Sequence, residues 1–238
     1  IYGVDRDEQA VAVARLNLLL KALHLRERLP MLHNIRCGDS LISGTPAELQ
    51  AAFGPDWRSK KPFQWQDEFA DVMKDGGFDV IIGNPPYVRI QTLPKDDVSF
   101  FGSRYKAATG NYDIDVLFVE RALHMLKPGG VMGFILPNKF MQVDYGVGLR
   151  KLLSDNKYVD SIVDFKEFQV FEGATTYTCL LFLKKQASAH LAYIPAGQRL
   201  AEAASTPREI PGDLQSYRVD ATHLTASPWQ FAVGSSGA

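Results

Sequence analysis

The sequence predicts an α/β fold built on a mostly parallel sheet, and three features point to it. Short runs rich in β-branched and aromatic residues (Phe78–Ile82, Val131–Leu136, Val159–Asp164, Thr175–Lys184) alternate with helix-patterned stretches. The first run is apolar at Phe78, Val80, Ile81 and Ile82, as expected of a parallel strand covered on both faces. It stops at Gly83, and Asn84-Pro85-Pro86-Tyr87 follows where open α/β sheets present their ligands, outside the carboxyl ends of the strands.

In order along the chain, Ile1-Tyr2-Gly3-Val4 reads as the end of a strand. Asp5, with Glu8 three positions on, starts an Ala- and Leu-rich helix down to about Leu25. Asp5 can cap that helix or accept from ribose hydroxyls at a strand tip, and spacing leaves both open. His33–Cys37 is a second short strand, closed by Gly38-Asp39-Ser40-Leu41, whose plain alternative is an Asx-turn. Residues 43–76 read as an irregular insertion in which Arg58, Lys60 and Lys61 interleave with Phe53, Trp57, Phe63, Trp65 and Phe69. Such a segment contacts a polynucleotide or packs its rings on the domain as a lid. No strand presents a nuclease motif there.

Arg89 to Asn111 reads as a loop whose cations either contact phosphate or are simply solvated. Asp113 is expected to cap a helix with the stripe Ile114, Val116, Leu117, Val119, Ala122, Leu123 and Leu126, which Pro128-Gly129-Gly130 ends. Val131–Leu136 is a buried strand followed by Pro137-Asn138-Lys139-Phe140, and a further helix covers Gly148–Ser154. The connection through Phe168 to Gly173 is too short for a crossover helix, so the last two strands should pair antiparallel. From Gln186 the composition turns to Ala, Ser, Pro and Gly with weak periodicity, the pattern of a linker.

The chain has 238 residues, 46% of them hydrophobic and 22% charged, enough for one sizeable core and a smaller appendage. A net charge of −1 announces no global basic field, so any polyanion site is a local patch or lies outside the chain. Cys37 and Cys179 read as buried thiols of a cytosolic protein, with no disulfide framework or metal-ligand cluster. No run of about 18 apolar residues and no signal peptide is visible, which excludes membrane and export classes and favours the cytoplasm. The first residue is Ile1, which suggests a portion of a longer polypeptide.

The chemistry concentrates in Asn84-Pro85-Pro86-Tyr87. The prolines fix φ and remove two NH donors, leaving stiff carbonyl acceptors to which the Asn84 side chain adds another. Two converging acceptors suit an exocyclic or amide NH2. Drawing its hydrogens out of conjugation localises the nitrogen lone pair for attack on an electrophile. Tyr87 offers a flat face for a planar substrate. A rigid turn after a buried strand is the plain alternative.

Asp79 to Tyr87 resembles motif IV of the S-adenosylmethionine-dependent amino methyltransferases, most closely the gamma-class adenine-N6 DNA methyltransferases of type IIG restriction-modification systems. The resemblance continues in the family's order from Ile1 to about Lys185. It implies a Rossmann-like S-adenosylmethionine-dependent methyltransferase fold with a terminal antiparallel hairpin. It also implies adenine-N6 methylation of double-stranded DNA by S-adenosylmethionine, without a metal.

Gly3-Val4-Asp5-Arg6-Asp7 matches motif II, with Asp5 on the ribose and Arg6 flanking the cofactor adenine. Asp39 matches motif III and accepts from the adenine amino group, Ser40 lines that pocket, and Asn84 also counts among the cofactor contacts. Asn84, Pro85, Pro86 and Tyr87 are the implied catalytic residues. Gln169 to Gly173 matches motif VIII, which puts Phe171 opposite Tyr87 across the extruded base; a hydrophobic hairpin plug is the alternative.

On this basis residues 1–185 are a partial catalytic domain with the insertion at 43–76. Residues 186–238 are a linker and the start of a target-recognition region around Ser227–Phe231. The family's glycine-rich cofactor turn and first central strand are missing. Neither Gly146-Val147-Gly148 nor Gly129-Gly130 replaces them, so the piece alone is expected to be inactive and to need the upstream part of the same polypeptide. Two other functions stay open: protein glutamine-N5 methylation, which can use the same four residues, and a scaffold role for an inactive fragment.

Overall fold

The computed structural model describes residues 1–24, 32–171, 176–197 and 214–231, which fall into two compact units. Residues 172–175, which hold part of the expected motif VIII turn, and residue 25, the expected helix end, lie outside the described residues.

The first unit comprises residues 1–75 and 95–100. Strand β1 (Gly3–Asp5) pairs in parallel with β2 (Ile35–Cys37) in the register Gly3 to Ile35 and Asp5 to Cys37, so the two strands end level. Helix α1 (Glu8–His24) connects them. Asp5 does not cap it: Asp5 Oδ1 accepts from the Asp7 amide at 2.8 Å, and Asp7 Oδ1 accepts from the Gln9 amide at 2.8 Å. The helix begins two residues later than the Asp5 spacing implied, which leaves Asp5 outside it. Val11 is buried on α1, whereas Val13, Leu16, Leu20 and Leu23 are exposed.

Residues 43–76 are more regular than expected. Thr45 and Glu48 form a reciprocal capping box at the start of α2 (Pro46–Phe53), and α3 (Trp65–Glu68) and α4 (Ala70–Lys74) follow. Phe63, Trp65 and Phe69 pack ring on ring at centroid distances of 4.9–5.8 Å, and Phe63 and Phe69 are buried. Those two rings therefore serve a local core and are closed to a polynucleotide. Cys37 is exposed, which corrects the expectation of two buried thiols; Cys179 is buried. The strand ends at Cys37, so its side chain lies past the covered part.

The second unit, residues 76–94 and 101–238, holds a mixed sheet in the order β3-β4-β6-β5-β7-β8. The strands are β3 (Phe78–Gly83), β4 (Leu126–Pro137), β5 (Val159–Asp164), β6 (Thr178–Lys184), β7 (His190–Pro195) and β8 (Tyr217–Asp220). Pairs β3/β4 and β5/β7 are parallel; β4/β6, β5/β6 and β7/β8 are antiparallel. As expected from the short connection, β5 and β6 pair antiparallel.

The expectation that β3 is covered on both faces does not hold. It is the end strand, and Val80 and Ile82 are 60% and 81% exposed. Among the described residues only β4 pairs with it. Residues 190–195 and 217–220, within the stretch that reads as a linker, extend the same sheet, and Trp229 is buried beyond them.

Helix α5 (Lys95–Arg104) occupies part of the stretch expected to be loop. Helix α6 (Asp115–Met125) is buried almost all round; Ile114 precedes it with no side-chain cap, so Asp113 does not cap it as its sequence position suggested. Helix α7 (Val147–Asn156) follows β4. The turn into β3 depends on Gly77, which has φ 116° and sits where an added Cβ would run into the Met125 carbonyl.

Candidate active site

In the first unit, the level parallel register of β1 and β2 brings Asp5, Arg6, Asp39 and Ser40 together just past the two carboxyl ends. The Arg6 guanidinium lies 3.7 Å from Asp39 Oδ2. Asp39 Oδ1 accepts from the Leu41 amide at 2.9 Å, the Asx-turn of its sequence pattern, so turn and site are compatible. Burial pushes the Asp39 carboxyl above its ordinary range, against the pull of the Leu41 amide and the Arg6 charge. The Ser40 carbonyl accepts from the Trp65 indole at 3.1 Å, tying the turn to the aromatic cluster. Gly38 admits no side chain, because a Cβ there would strike the Phe63 ring.

In the second unit, β3 ends at Gly83 and Asn84 is exposed, with no hydrogen-bond partner for its amide among the described residues. Pro85 is buried, which anchors the turn, and Pro86 is exposed. Tyr87 is half-buried, and its hydroxyl donates to the Ile135 carbonyl of β4 at 3.2 Å.

The chain leaving the motif is clamped. The Ile114 amide donates to the Val88 carbonyl at 2.9 Å, and the Ile90 amide to the Tyr112 carbonyl at 3.1 Å. The motif thus sits between a strand end and a fixed exit, and its acceptors are held without loop freedom. Phe171 is 39% exposed, beyond β5.

Buried polar residues back this motif, and sequence reasoning missed them as site residues. Asp115, at the start of α6, is fully buried with both carboxyl oxygens unpaired among the described residues. Its pKa is pushed up to about 7 by burial and then by the charge of Asp113. The Tyr87 phenol is pushed up to about 12 by burial and then by the Asp115 charge. Tyr145 is shifted upward for the same reasons. The available signal was an acidic residue interrupting an apolar helix stripe.

Asp164, at the end of β5, is also buried, but four donors surround it, from Asn138, Tyr193 and Lys166. Lys166 lies only two residues on, but Asn138 and Tyr193 come from distant segments that the local sequence does not announce. Among the described residues no group of His, Cys, Asp and Glu could hold a metal ion, and no helix is long and apolar enough to cross a membrane.

The model of the Eco57I restriction-modification methylase family matches residues 1–171. The chain is 38% identical over 200 residues to the type II restriction enzyme and methyltransferase RM.Eco57I of Escherichia coli, which covers 78% of this chain and 19% of that protein. It is 29% identical over 196 residues to the type II methyltransferase M.PaeR7I of Pseudomonas aeruginosa, covering 78% of this chain and 33% of that one. The chain therefore spans a third or less of either relative.

Among solved structures, the fold is similar to the DrdV–DNA complex (TM-score 0.64, 19% identity, 94% of this chain and 24% of that one). It is also similar to the type I restriction-modification methyltransferase subunit of Streptococcus thermophilus (TM-score 0.59, 17% identity, 93% and 45%). Matched by the family model over most of its length, with the motif in place at the end of β3, this chain belongs to the Eco57I restriction-modification methylase family.

Proposed function

We propose that this chain is part of an S-adenosylmethionine-dependent methyltransferase that modifies the exocyclic amino group of adenine in double-stranded DNA. The observation that carries the reading is the rigid Asn84-Pro85-Pro86-Tyr87 turn at the carboxyl end of β3, with Asn84 exposed and its amide unpartnered among the described residues.

The donor set of the first unit suits the cofactor. Asp5 ends β1 level with Cys37, and Asp39 follows two residues beyond the end of the adjacent parallel strand β2, with carboxylate chemistry that fits a ribose diol and an adenine amino group. In this reading Arg6, whose guanidinium lies 3.7 Å from Asp39, flanks the purine, and Ser40 lines its pocket. Bound S-adenosylmethionine would supply an electrophilic methyl group on a sulfonium. Asn84 accepts one hydrogen of the target amine through its side-chain oxygen and Pro85 accepts the other through its carbonyl. Together they localise the lone pair on nitrogen. Tyr87 and Phe171 offer faces for the flipped base. The exposed cations Arg89 and Lys106 are available to phosphates. A cytoplasmic setting follows from this reading, as does a need for the part of the polypeptide that carries the family's glycine-rich turn.

The test is Asn84→Ala in the natural, full-length protein, assayed on duplex DNA and on a glutamine-bearing protein in parallel. The expected result is loss of methyl transfer to DNA with S-adenosylmethionine affinity largely kept. Unchanged transfer, or transfer to glutamine in place of adenine, overturns the reading.

A further inference from the structure

The loop that carries Phe171 leaves β5 at a buried carboxylate. Strand β5 ends at Asp164, which is 4% exposed. Its Oδ1 accepts from Asn138 Nδ2 and from the Lys166 amide, both at 3.0 Å; its Oδ2 accepts from Tyr193 Oη at 2.8 Å and lies 3.2 Å from Lys166 Nζ. Burial alone would raise this carboxyl, but the donors outweigh it and hold it below its ordinary range, so Asp164 stays ionised.

The loop is bent to meet these donors. Lys166 adopts φ 53°, a left-handed conformation uncommon for a residue with a side chain, and its carbonyl accepts from Asn138 Nδ2 at 3.2 Å. Phe165 and Val170 bury themselves with Val163 and Ala196, and Phe168 packs against that cluster.

Two of these anchors come from beyond residue 171, where the match to the family model ends. Tyr193 belongs to β7, and its ring stacks on Phe231 at 4.1 Å with a 15° tilt. The Ala196 amide donates to the Asp164 carbonyl at 2.7 Å. The segment holding Phe231 is itself fastened: the Trp229 amide donates to the Met141 carbonyl at 2.7 Å, and Arg150 Nε to the Ala226 carbonyl at 2.9 Å. A continuous path of contacts therefore runs from the C-terminal segment through Tyr193 and Asp164 into the loop.

We propose that Asp164 and Tyr193 are positioning residues for target-base capture, setting the loop that presents Phe171 and coupling it to the segment around Phe231. This rests on the reading of Phe171 as a target-base contact. The coupling places a tyrosine of the C-terminal strands, outside the matched region, in control of a loop inside it. Tyr193→Phe removes one hydrogen bond to an ionised acceptor and keeps the stacked ring, so it probes the link without emptying the core.

The experiment uses the natural, full-length protein and a duplex with 2-aminopurine at the target position, whose fluorescence rises on flipping. Phe171→Ala serves as reference, with S-adenosylmethionine affinity and thermal stability measured beside it. For Tyr193→Phe the expected result is about a tenfold weaker capture of the flipped base, equal to about 1.4 kcal/mol, with cofactor affinity unchanged. Asp164→Asn should lower capture at least as much, and adding Tyr193→Phe to it should lower it little further, because both act through one bond.

If Phe171→Ala weakens capture and Tyr193→Phe does not, the coupling is wrong and the base contact stands. If the two substitutions act independently and additively, the link through Asp164 is wrong. If Phe171→Ala leaves capture unchanged, the base-contact reading falls and takes the coupling with it.

Discussion

The Tyr87 hydroxyl donates to the carbonyl of Ile135 at 3.2 Å, which fixes the last residue of the Asn-Pro-Pro-Tyr turn to the neighbouring strand β4. The phenol oxygen is thereby engaged in structure, and the ring face is what remains for a substrate. Tyr87→Phe should cost about 1 kcal/mol of stability and leave methyl transfer close to wild type. Tyr87→Ala removes a stacking surface worth roughly 1–3 kcal/mol and should lower transfer by roughly ten- to a hundredfold. Because the phenol is pushed up to about 12, the pH–rate profile should show no tyrosine ionisation near its ordinary value of 10.0. Loss of activity in Tyr87→Phe would show that the hydroxyl takes part in the chemistry.

Asp115 should make stability fall as pH rises. Its folded-state pKa is raised from 3.8 to about 7, so between those values the folded chain binds a proton that the unfolded chain has released. The favourable contribution is complete below the unfolded value, is lost as pH climbs toward the folded one, and levels off above it. Asp115→Asn keeps the shape and removes the charge. Its stability advantage over wild type should grow by up to roughly 3 kcal/mol between about pH 5 and about pH 8. Urea denaturation at both pH values checks this; parallel behaviour of the two proteins would remove Asp115 from the account.

Arg150 fastens the C-terminal segment. It is buried, and its guanidinium donates to the carbonyls of Phe140 at 2.6 Å, Val143 at 2.7 Å and Ala226 at 2.9 Å. Arg150→Met fills the space but removes three charge-assisted hydrogen bonds and leaves the Phe140 and Ala226 carbonyls without that donor, while Val143 keeps the Gly146 amide, and should cost roughly 3 kcal/mol. Arg150→Lys should not restore stability, because an ammonium cannot reproduce the planar fork. Limited proteolysis should cut the variants near residues 221–231 before the rest of the chain unfolds; equal resistance to wild type would contradict this.

The 238-residue chain carries two bare apolar faces, Val13, Leu16, Leu20 and Leu23 on α1 and Val80 and Ile82 on β3. Contiguous exposed apolar surface promotes association. By analytical ultracentrifugation the chain alone should self-associate, and Leu16→Glu combined with Leu20→Glu should shift it toward monomer. A monodisperse monomer at high concentration would argue against it.

The features legible in the sequence are those set by neighbours along the chain. The apolar run of β3 followed by a glycine and two prolines dictates a strand and a rigid turn whatever surrounds them, and the capping box of α2 was equally local although the stretch read as irregular. The antiparallel pairing of β5 and β6 follows from a connection too short to cross over. Asp115 interrupts the apolar stripe of α6 without showing in the sequence that it is buried, and Asp164 reads as the tail of a strand.

By itself, then, the sequence determined which segments become strand or helix and where the acceptor-rich turn stands, because torsional limits and local pattern act over a few residues. Only the tertiary structure decided that β3 is an end strand with exposed Val80 and Ile82, and that residues 190–195 and 217–220 join the sheet as strands. It alone decided that Asp115 is buried and unpaired among the described residues while Asp164 meets four donors. Pairing of strands, and the Asn138 and Tyr193 donors that complete the shell of Asp164 beside the local Lys166, depend on partners tens of residues away, and no local pattern records which partners those will be.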